Sequence, residues 1–272
     1  MAYRLKRGES VTAGVKRIAR EELGDAIDSL RAGQVHEARK RLKKTRALLR
    51  LMRGELGATY RAENTRLREI GRKLSPVRDA EAMLETLDRA AEQRAAVRKL
   101  RPVLLRYKER VEKQADIGVL GPKLVDALNE ARRDVRRWPL NGGGFDVVEG
   151  GIEAAYRKGR KALAEYLRTG RREDEHEWRK RVKDHWYHVR LLEDLWTEDA
   201  KEYERSLKDL EDALGEDLNL AMVREHVGKN DGIARAIDAE QFALRDQALK
   251  VGERLYAPKP KKAMKKLRQW WR

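Results

Sequence analysis

The sequence predicts an all-α protein made of two related halves, and three observations lead there. Ala, Leu, Arg, Lys and Glu dominate the 272 residues, whereas Pro (6) and Phe (2) are scarce, a mix that favours helix. No stretch sustains the period-2 alternation of a half-buried strand. A shift of 140 residues lays "HEARKRLKKTRALLRLM" (36–52) on "HEWRKRVKDHWYHVRLL" (176–192) without a gap. That shift matches His36, Glu37, Arg39, Lys40, Arg41, Lys43 and Arg50 with His176, Glu177, Arg179, Lys180, Arg181, Lys183 and Arg190. It also lays Arg17 and Arg20 on Arg157 and Arg160, and Leu67, Ile70 and Leu74 on Leu207, Leu210 and Leu214. One constant offset over three segments marks an internal duplication. The halves are 1–138 and 145–272, joined by a connector over 139–151, where Pro139, Gly142-Gly143-Gly144 and Gly150-Gly151 interrupt helix.

Each half reads as six helices. Apolar periodicity with Gly and Pro as punctuation places them over 10–31, 35–53, 58–74, 77–92, 101–116 and 121–137 in the first. In the second they fall over 151–168, 174–196, 198–214, 217–228, 232–254 and 259–271. Gly33, Gly54, Gly57, Gly118, Gly170 and Gly228 suit helix ends, and Pro102, Pro122 and Pro258 suit starts.

The basic residues are not spread evenly around these helices. At about 100° per residue, His36, Arg39, Lys40, Lys43 and Arg50 share one stripe, and Ala38, Leu42, Thr45, Leu49 and Met52 hold the opposite face. The second copy repeats this, with Trp178, Val182, Val189 and Leu192 on its apolar side. The preceding helix sets Arg17 and Arg20 against Val15, Ala19, Leu23, Ala26 and Leu30. Like charges at i,i+3 and i,i+4 oppose helix formation by roughly 0.2–0.5 kcal/mol per pair. An ordinary solvated face mixes signs; a single-signed stripe that recurs in both halves calls for an anion to neutralise it.

The formal net charge of +17 agrees with an anionic partner. The lack of cysteine excludes disulfides, thiol catalysis and Cys-based zinc sites. "MAYRLKRGES" has no apolar leader, and no apolar run reaches the ~20 residues of a bilayer span. The expectation is a cytoplasmic protein with no membrane contact.

Several segments together resemble a known family. "VHEARKRLKKTRALLR" and "EHEWRKRVKDHWYHVRLLEDLW" carry the likeness, with "YRKGRKAL" (156–163) before the second and "LSPVRDAEAML" (74–84) after the first. With the C-terminal "KPKKAMKKLRQWW" they resemble the CHAD domain, the conserved histidine α-helical domain, over essentially the whole chain. The resemblance implies a single domain over 1–272, two helical bundles related by pseudo-symmetry with a basic channel or groove between them. It implies binding of inorganic polyphosphate, with phosphate or sulfate ions able to stand in for it, and association with polyphosphate granules. By position, the binding residues it implies are Arg17, Arg20, His36, Arg39, Lys40, Lys43 and Arg50 in the first half. In the second they are Arg157, Arg160, His176, Arg179, Lys180, Lys183 and Arg190. The halves differ in places: Lys161 matches Glu21, and Trp186 matches Arg46. The triphosphate-tunnel module fused to some relatives has a Glu-x-Glu-x-Lys signature that is missing here.

Signals for catalysis are weak, and the expectation is a protein that is not an enzyme and has no cofactor. His185 and His188, with Asp184 beside them, lack the His-Glu-x-x-His pattern of a zinc site; packing explains them better. Cationic neighbours should hold His36 and His176 neutral, as hydrogen-bond donors to phosphate. "GGGF" (142–145) lacks a Walker lysine and reads as a linker. Asp79 and Asp217 read as helix-start caps. The competing function is nucleic-acid binding, for which the charge, the basic tail and Trp178, Trp186, Trp270 and Trp271 speak. Stacking platforms must interleave with the basic face, and Trp178 falls on the apolar one.

Overall fold

The computed structural model describes residues 3–93, 100–225 and 232–271. It contains twelve α-helices among the described residues: α1 (Val11–Arg31), α2 (Val35–Leu51), α3 (Arg53–Leu56), α4 (Ala58–Lys73), α5 (Ser75–Gln93) and α6 (Arg101–Ala115), then α7 (Ile117–Asp134), α8 (Asp146–Thr169), α9 (Arg172–Leu191), α10 (Glu198–Arg224), α11 (Gly232–Tyr256) and α12 (Pro260–Trp270). The described residues form no strand, only an isolated antiparallel bridge between Trp196 and Trp271. No described helix is long and apolar enough to cross a membrane.

Burial follows the apolar periodicity. Val15, Ala19, Leu23, Ala26 and Leu30 of α1 are buried, as are Ala38, Leu42, Thr45 and Leu49 of α2 and Trp178, Val182 and Val189 of α9. Ser10 caps α1 by accepting from the Ala13 amide. Gly170, in the left-handed region at φ 63°, ends α8 with its amide on the Tyr166 carbonyl. The pairs α1–α2, α8–α9, α9–α10 and α10–α11 pack extensively, and α2 also packs on α9 and α5 on α10. One continuous core runs from Tyr3 to Trp270. A smaller cluster joins Met83, Leu84 and Leu87 of α5 and Leu104 of α6 to Leu220, Val223, Ile233 and Ile237 of α10 and α11.

Four expected boundaries move, among them the helix expected over 174–196, which ends at Leu191. The helices expected over 198–214 and 217–228 are one helix to Arg224, with the stretch beyond 225 outside the described residues. Gly215 lies inside that helix, where a Cβ would come 3.0 Å from Nη2 of Arg179. Asp217 is therefore no helix-start cap but a buried mid-helix carboxylate, held by Gln241 at 3.0 Å and Arg245 at 3.1 Å. The connector ends at residue 145, since α8 begins at Asp146. Asp146 and Glu149 in its first turn complement the helix dipole, and Val147, Val148 and Ile152 are buried. Gly150 and Gly151 are thus helical, and a Cβ on Gly151 would collide with the Leu51 carbonyl at the end of α2. Finally, α7 starts a turn early, capped by Asp116 accepting from the Val119 amide at 3.3 Å.

Candidate functional site

The basic row of α2 is sorted by what lies opposite each turn. Arg41 and Lys44 lean toward α1, where Glu22 takes Arg41 at 3.2 Å and Lys44 at 3.0 Å and Asp25 takes Arg41 at 3.1 Å. Arg39 and Arg46 reach α4 and the start of α5, and Lys43 and Arg50 face α9. Helices α2 and α9 approach closely at Ala47, whose carbonyl accepts from Nε2 of buried His188 at 2.9 Å, and Arg50 pairs with Asp184 at 2.5 Å.

A cation cluster forms where Arg39 and Lys43 of α2 meet His176, Arg179 and Lys183 of α9. Arg39 donates to the Gly71 carbonyl at 2.5 Å and to Ser75 Oγ. Arg179 and Lys183 both pair with buried Glu211 of α10, at 3.0 and 2.6 Å. Lys43 makes no ion pair among the described residues. Its side chain is exposed to solvent, and yet protein surrounds it closely enough that desolvation, then Lys183, Arg39 and Arg179, push its pKa down to about 7, against a pull from Glu211. Lys43 thus keeps contact with solvent while the protein packed around it disfavours its charged form.

Neighbouring groups feel the same field. Burial, then Arg179, pulls the Lys183 ammonium down, against Glu211. Burial works to raise the Glu211 carboxyl, but Lys183 and Arg179 outweigh it and hold it below its ordinary value. Burial pushes Asp79 of α5 up, against Arg39 and Lys43. His176 lies below its ordinary value through burial, Lys180 and Arg179, and His36 through burial and Arg78. Both imidazoles are thus biased to the neutral form. Nδ1 of His36 and Nε of Arg39 and Arg179 are buried without a hydrogen-bond partner.

The fourteen residues named from the sequence divide accordingly. Arg39, Lys43, His176, Arg179 and Lys183 form the cluster. His36, Lys40 and Lys180 sit at its rim, with Lys40 on Glu37 at 3.3 Å and Lys180 on Glu177 at 3.6 Å. Arg50 is tied to Asp184, and Arg190 lies over the Trp186 ring at 5.2 Å. The four from α1 and α8 have other partners. Arg17 pairs with Glu9 at 2.5 Å and Glu21 at 3.1 Å. Arg20 lines a cavity of about 390 Å³ between α1 and α7 with Asp25, Asp28 and Arg132. Arg157 pairs with Glu153 at 2.6 Å, and Arg160 donates to the Pro258 carbonyl at 2.8 Å. None of these partners belongs to the cluster.

Glu211, Arg78 and Asp79 were not singled out as site residues from the sequence. Asp79 is more than a cap, because it faces Arg39 and Lys43. Arg78 stood in the quoted "LSPVRDAEAML". Nothing local marks Glu211. The remaining histidines of α9 are packing groups: His185 sits between the hydroxyls of Tyr256 and Tyr203 at 3.3 Å each, and burial pushes His185 and His188 down to about 3. Trp178 is buried against Tyr166 at 5.7 Å.

Fold and cluster together define an all-helical module that gathers cations where α2 and α9 meet. The chain belongs to the CHAD domain family, whose model matches residues 11–228. It is similar in structure to the CHAD domain of the plant Ricinus communis, at 17% identity and a TM-score of 0.59, over 96% of both chains. It is also similar to PptA from Streptomyces chartreusis, at 11% identity and a TM-score of 0.53, over 92% of this chain and 98% of that one. No curated protein sequence matches it.

Proposed function

We propose that the chain is a non-enzymatic module that binds inorganic polyphosphate in a channel between two homologous halves, and that it works in the cytoplasm on polyphosphate granules. The duplication has support in the contacts. The 140-residue shift equates Lys43 with Lys183 and Arg39 with Arg179, and Lys43 lies in the field of both Lys183 and Arg179. The same shift turns Lys44 into Asp184 and Arg50 into Arg190. Arg50 contacts Asp184, and Lys44 lies in the field of Arg190, a reciprocal pattern expected of a two-fold interface.

The observation that carries the function is Lys43: an exposed ammonium, without an acid of its own, pushed down to about 7 by desolvation and three cations. A ligand with one negative charge per phosphate and no bases reverses that cost. Single-stranded nucleic acid is held on exposed stacking surfaces as well, whereas Trp178 and Trp186 are buried. Calorimetry against long-chain polyphosphate, inorganic phosphate, sulfate and duplex DNA at matched phosphate concentration and ~0.15 M salt tests the reading. Polyphosphate should bind tightest and with a steep salt dependence; DNA binding as tightly would overturn it. No phosphate release or ATP turnover is expected, with or without magnesium or manganese.

A further inference from the structure

Beside the cluster, the first turn of α9 meets α10 and α11 through a pair of buried acids. Glu175 directly precedes His176 and lies one turn before Arg179; it is 1% exposed, as is Asp217 of α10. Arg245 of α11 sides with Asp217: its Nη2 donates to Oδ2 at 3.2 Å, and its Nε lies 3.1 Å from Oδ1. Gln241 adds a further bond to Asp217 at 3.0 Å. Glu175 is left with that same Nε at 3.8 Å, beyond hydrogen-bond reach. Among the buried acids of the described residues, Glu175 alone keeps an oxygen, Oε1, without a hydrogen-bond partner. Its side chain reaches Asp217 instead, and two carboxyls can share a hydrogen bond only when one of them carries a proton. Gln241 and Arg245 both donate to Asp217, so that proton belongs on Glu175.

We propose that Glu175 is a positioning residue for the anion site: its protonated carboxyl clasps the first turn of α9 to Asp217, and loss of that proton releases the turn together with His176 and Arg179. The charged and titratable groups facing Glu175 are Tyr166 from α8, Arg172 from its own helix, Asp217 from α10 and Arg245 from α11. Arg245 is taken by Asp217, and Arg172 pairs with Glu225 at 3.0 Å. No cation is left to neutralise a second buried carboxylate, and an unpaired buried charge is strongly disfavoured. Burial, then Asp217, pushes Glu175 up to about 7, against Arg245 and Arg172. The proton is therefore lost within the physiological pH range. Helix α9 is fastened to α10 at two levels, Glu175 on Asp217 and Arg179 on Glu211 at 3.0 Å. When the first fastening repels, the turn that carries His176 and leads into Arg179 loses its backing.

The effect on the ligand rests on the anion-site reading, whereas the proton switch does not, and the test separates them. Glu175→Gln keeps the shape and a donor to Asp217 but cannot ionise. Because the folded value lies above the unfolded one of about 4.3, the wild type loses stability as pH rises from there to about 7, and no further. The full-length variant should match the wild type near pH 4 and exceed it at pH 8.5, by at least roughly tenfold in the folding equilibrium. Asp217→Asn, which removes the opposing charge, should move the wild-type midpoint to lower pH. Hydrogen exchange over 172–180 should outrun intrinsic base catalysis above pH 7 in the wild type and follow it in Glu175→Gln. Matching melting profiles and matching exchange in the two proteins would overturn the switch. Long-chain polyphosphate should bind Glu175→Gln several-fold tighter than the wild type at pH 8.5, and equally at pH 6. A variant that gains stability at pH 8.5 without gaining affinity would overturn the positioning role. Absence of polyphosphate binding by either protein removes the polyphosphate reading and the positioning role with it, and the melting profiles then decide the proton switch alone.

Discussion

Glu211→Gln should move stability and ligand affinity in opposite directions. The carboxylate holds Arg179 at 3.0 Å and Lys183 at 2.6 Å, so the amide leaves two cations without their acid beside Lys43. Removing one partner of a fully buried pair costs about 3–5 kcal/mol. The two cations here keep 24% and 21% of their side-chain surface in contact with solvent, which reduces the expected loss to about 2 kcal/mol, or roughly 4–8 °C in Tm. Because Lys183 and Arg179 hold the Glu211 carboxyl below its ordinary value, this stabilisation is present above the unfolded carboxylate pKa of about 4.3 and is lost as pH falls through the lower folded value. The gap between wild type and variant should therefore close in acid. For a bound polyphosphate the change has the other sign. A negative charge about 5 Å from phosphate, at an effective dielectric of about 20, repels it by about 3 kcal/mol; in an open cleft about 1–2 kcal/mol of that survives screening. Affinity should rise about five- to thirtyfold, and two more cations facing the ligand should steepen the salt dependence. Calorimetry at several salt concentrations and thermal denaturation across pH measure both effects. A variant that melts lower but binds polyphosphate no tighter than wild type would refute the idea that Glu211 restrains the cluster.

Arg39→Ala with Lys43→Ala, and Arg179→Ala with Lys183→Ala, should each weaken polyphosphate binding at least roughly tenfold. Both should keep one ligand chain per protein in calorimetry; two sites, one lost per variant, would show the channel is not shared. The second pair should lower Tm because it strands Glu211, and the first through the lost Arg39 bonds to Gly71 and Ser75. Binding should weaken as pH rises above 7, because Lys43, pushed down to about 7, must then take up a proton when a polyanion arrives. Titrations in buffers of different ionisation enthalpy should report that uptake, and Lys43→Arg should flatten the profile. Gly151→Ala should cost about 1–3 kcal/mol, since its methyl meets the Leu51 carbonyl and overpacking displaces backbone, measurable as a lower denaturant midpoint.

Much of the fold was legible because burial follows helical periodicity: the apolar faces assigned to α1, α2 and α9 are the buried ones. Gly215 and Gly151 misled for one reason. In a sequence glycine marks a break, but here it is the residue that lets a guanidinium or a facing carbonyl come close within an unbroken helix. The arginines of α1 and α8 share the stripe of α2 in the sequence, and in the structure their partners lie away from the cluster. Their captors were nevertheless visible, as Glu21 stands four residues after Arg17 and Glu153 four before Arg157. Glu211 was hidden because the 140-residue shift sets it on Gly71, so comparing the two matching segments passes over it. Its pairing with α9 is a tertiary contact that no local pattern announces.

Lys43, without an ion pair among the described residues and in the field of Lys183, Arg39 and Arg179, also bears on turnover. On the proposed reading, the empty chain carries internal repulsion that its ligand relieves, so polyphosphate acts as a part of the folded structure. Binding to the native state alone raises stability with ligand supply, and a stability change of about 1–2 kcal/mol shifts cellular abundance several-fold. A cell that exhausts its polyphosphate would then clear this protein faster, and the amount remaining would track the reserve it binds.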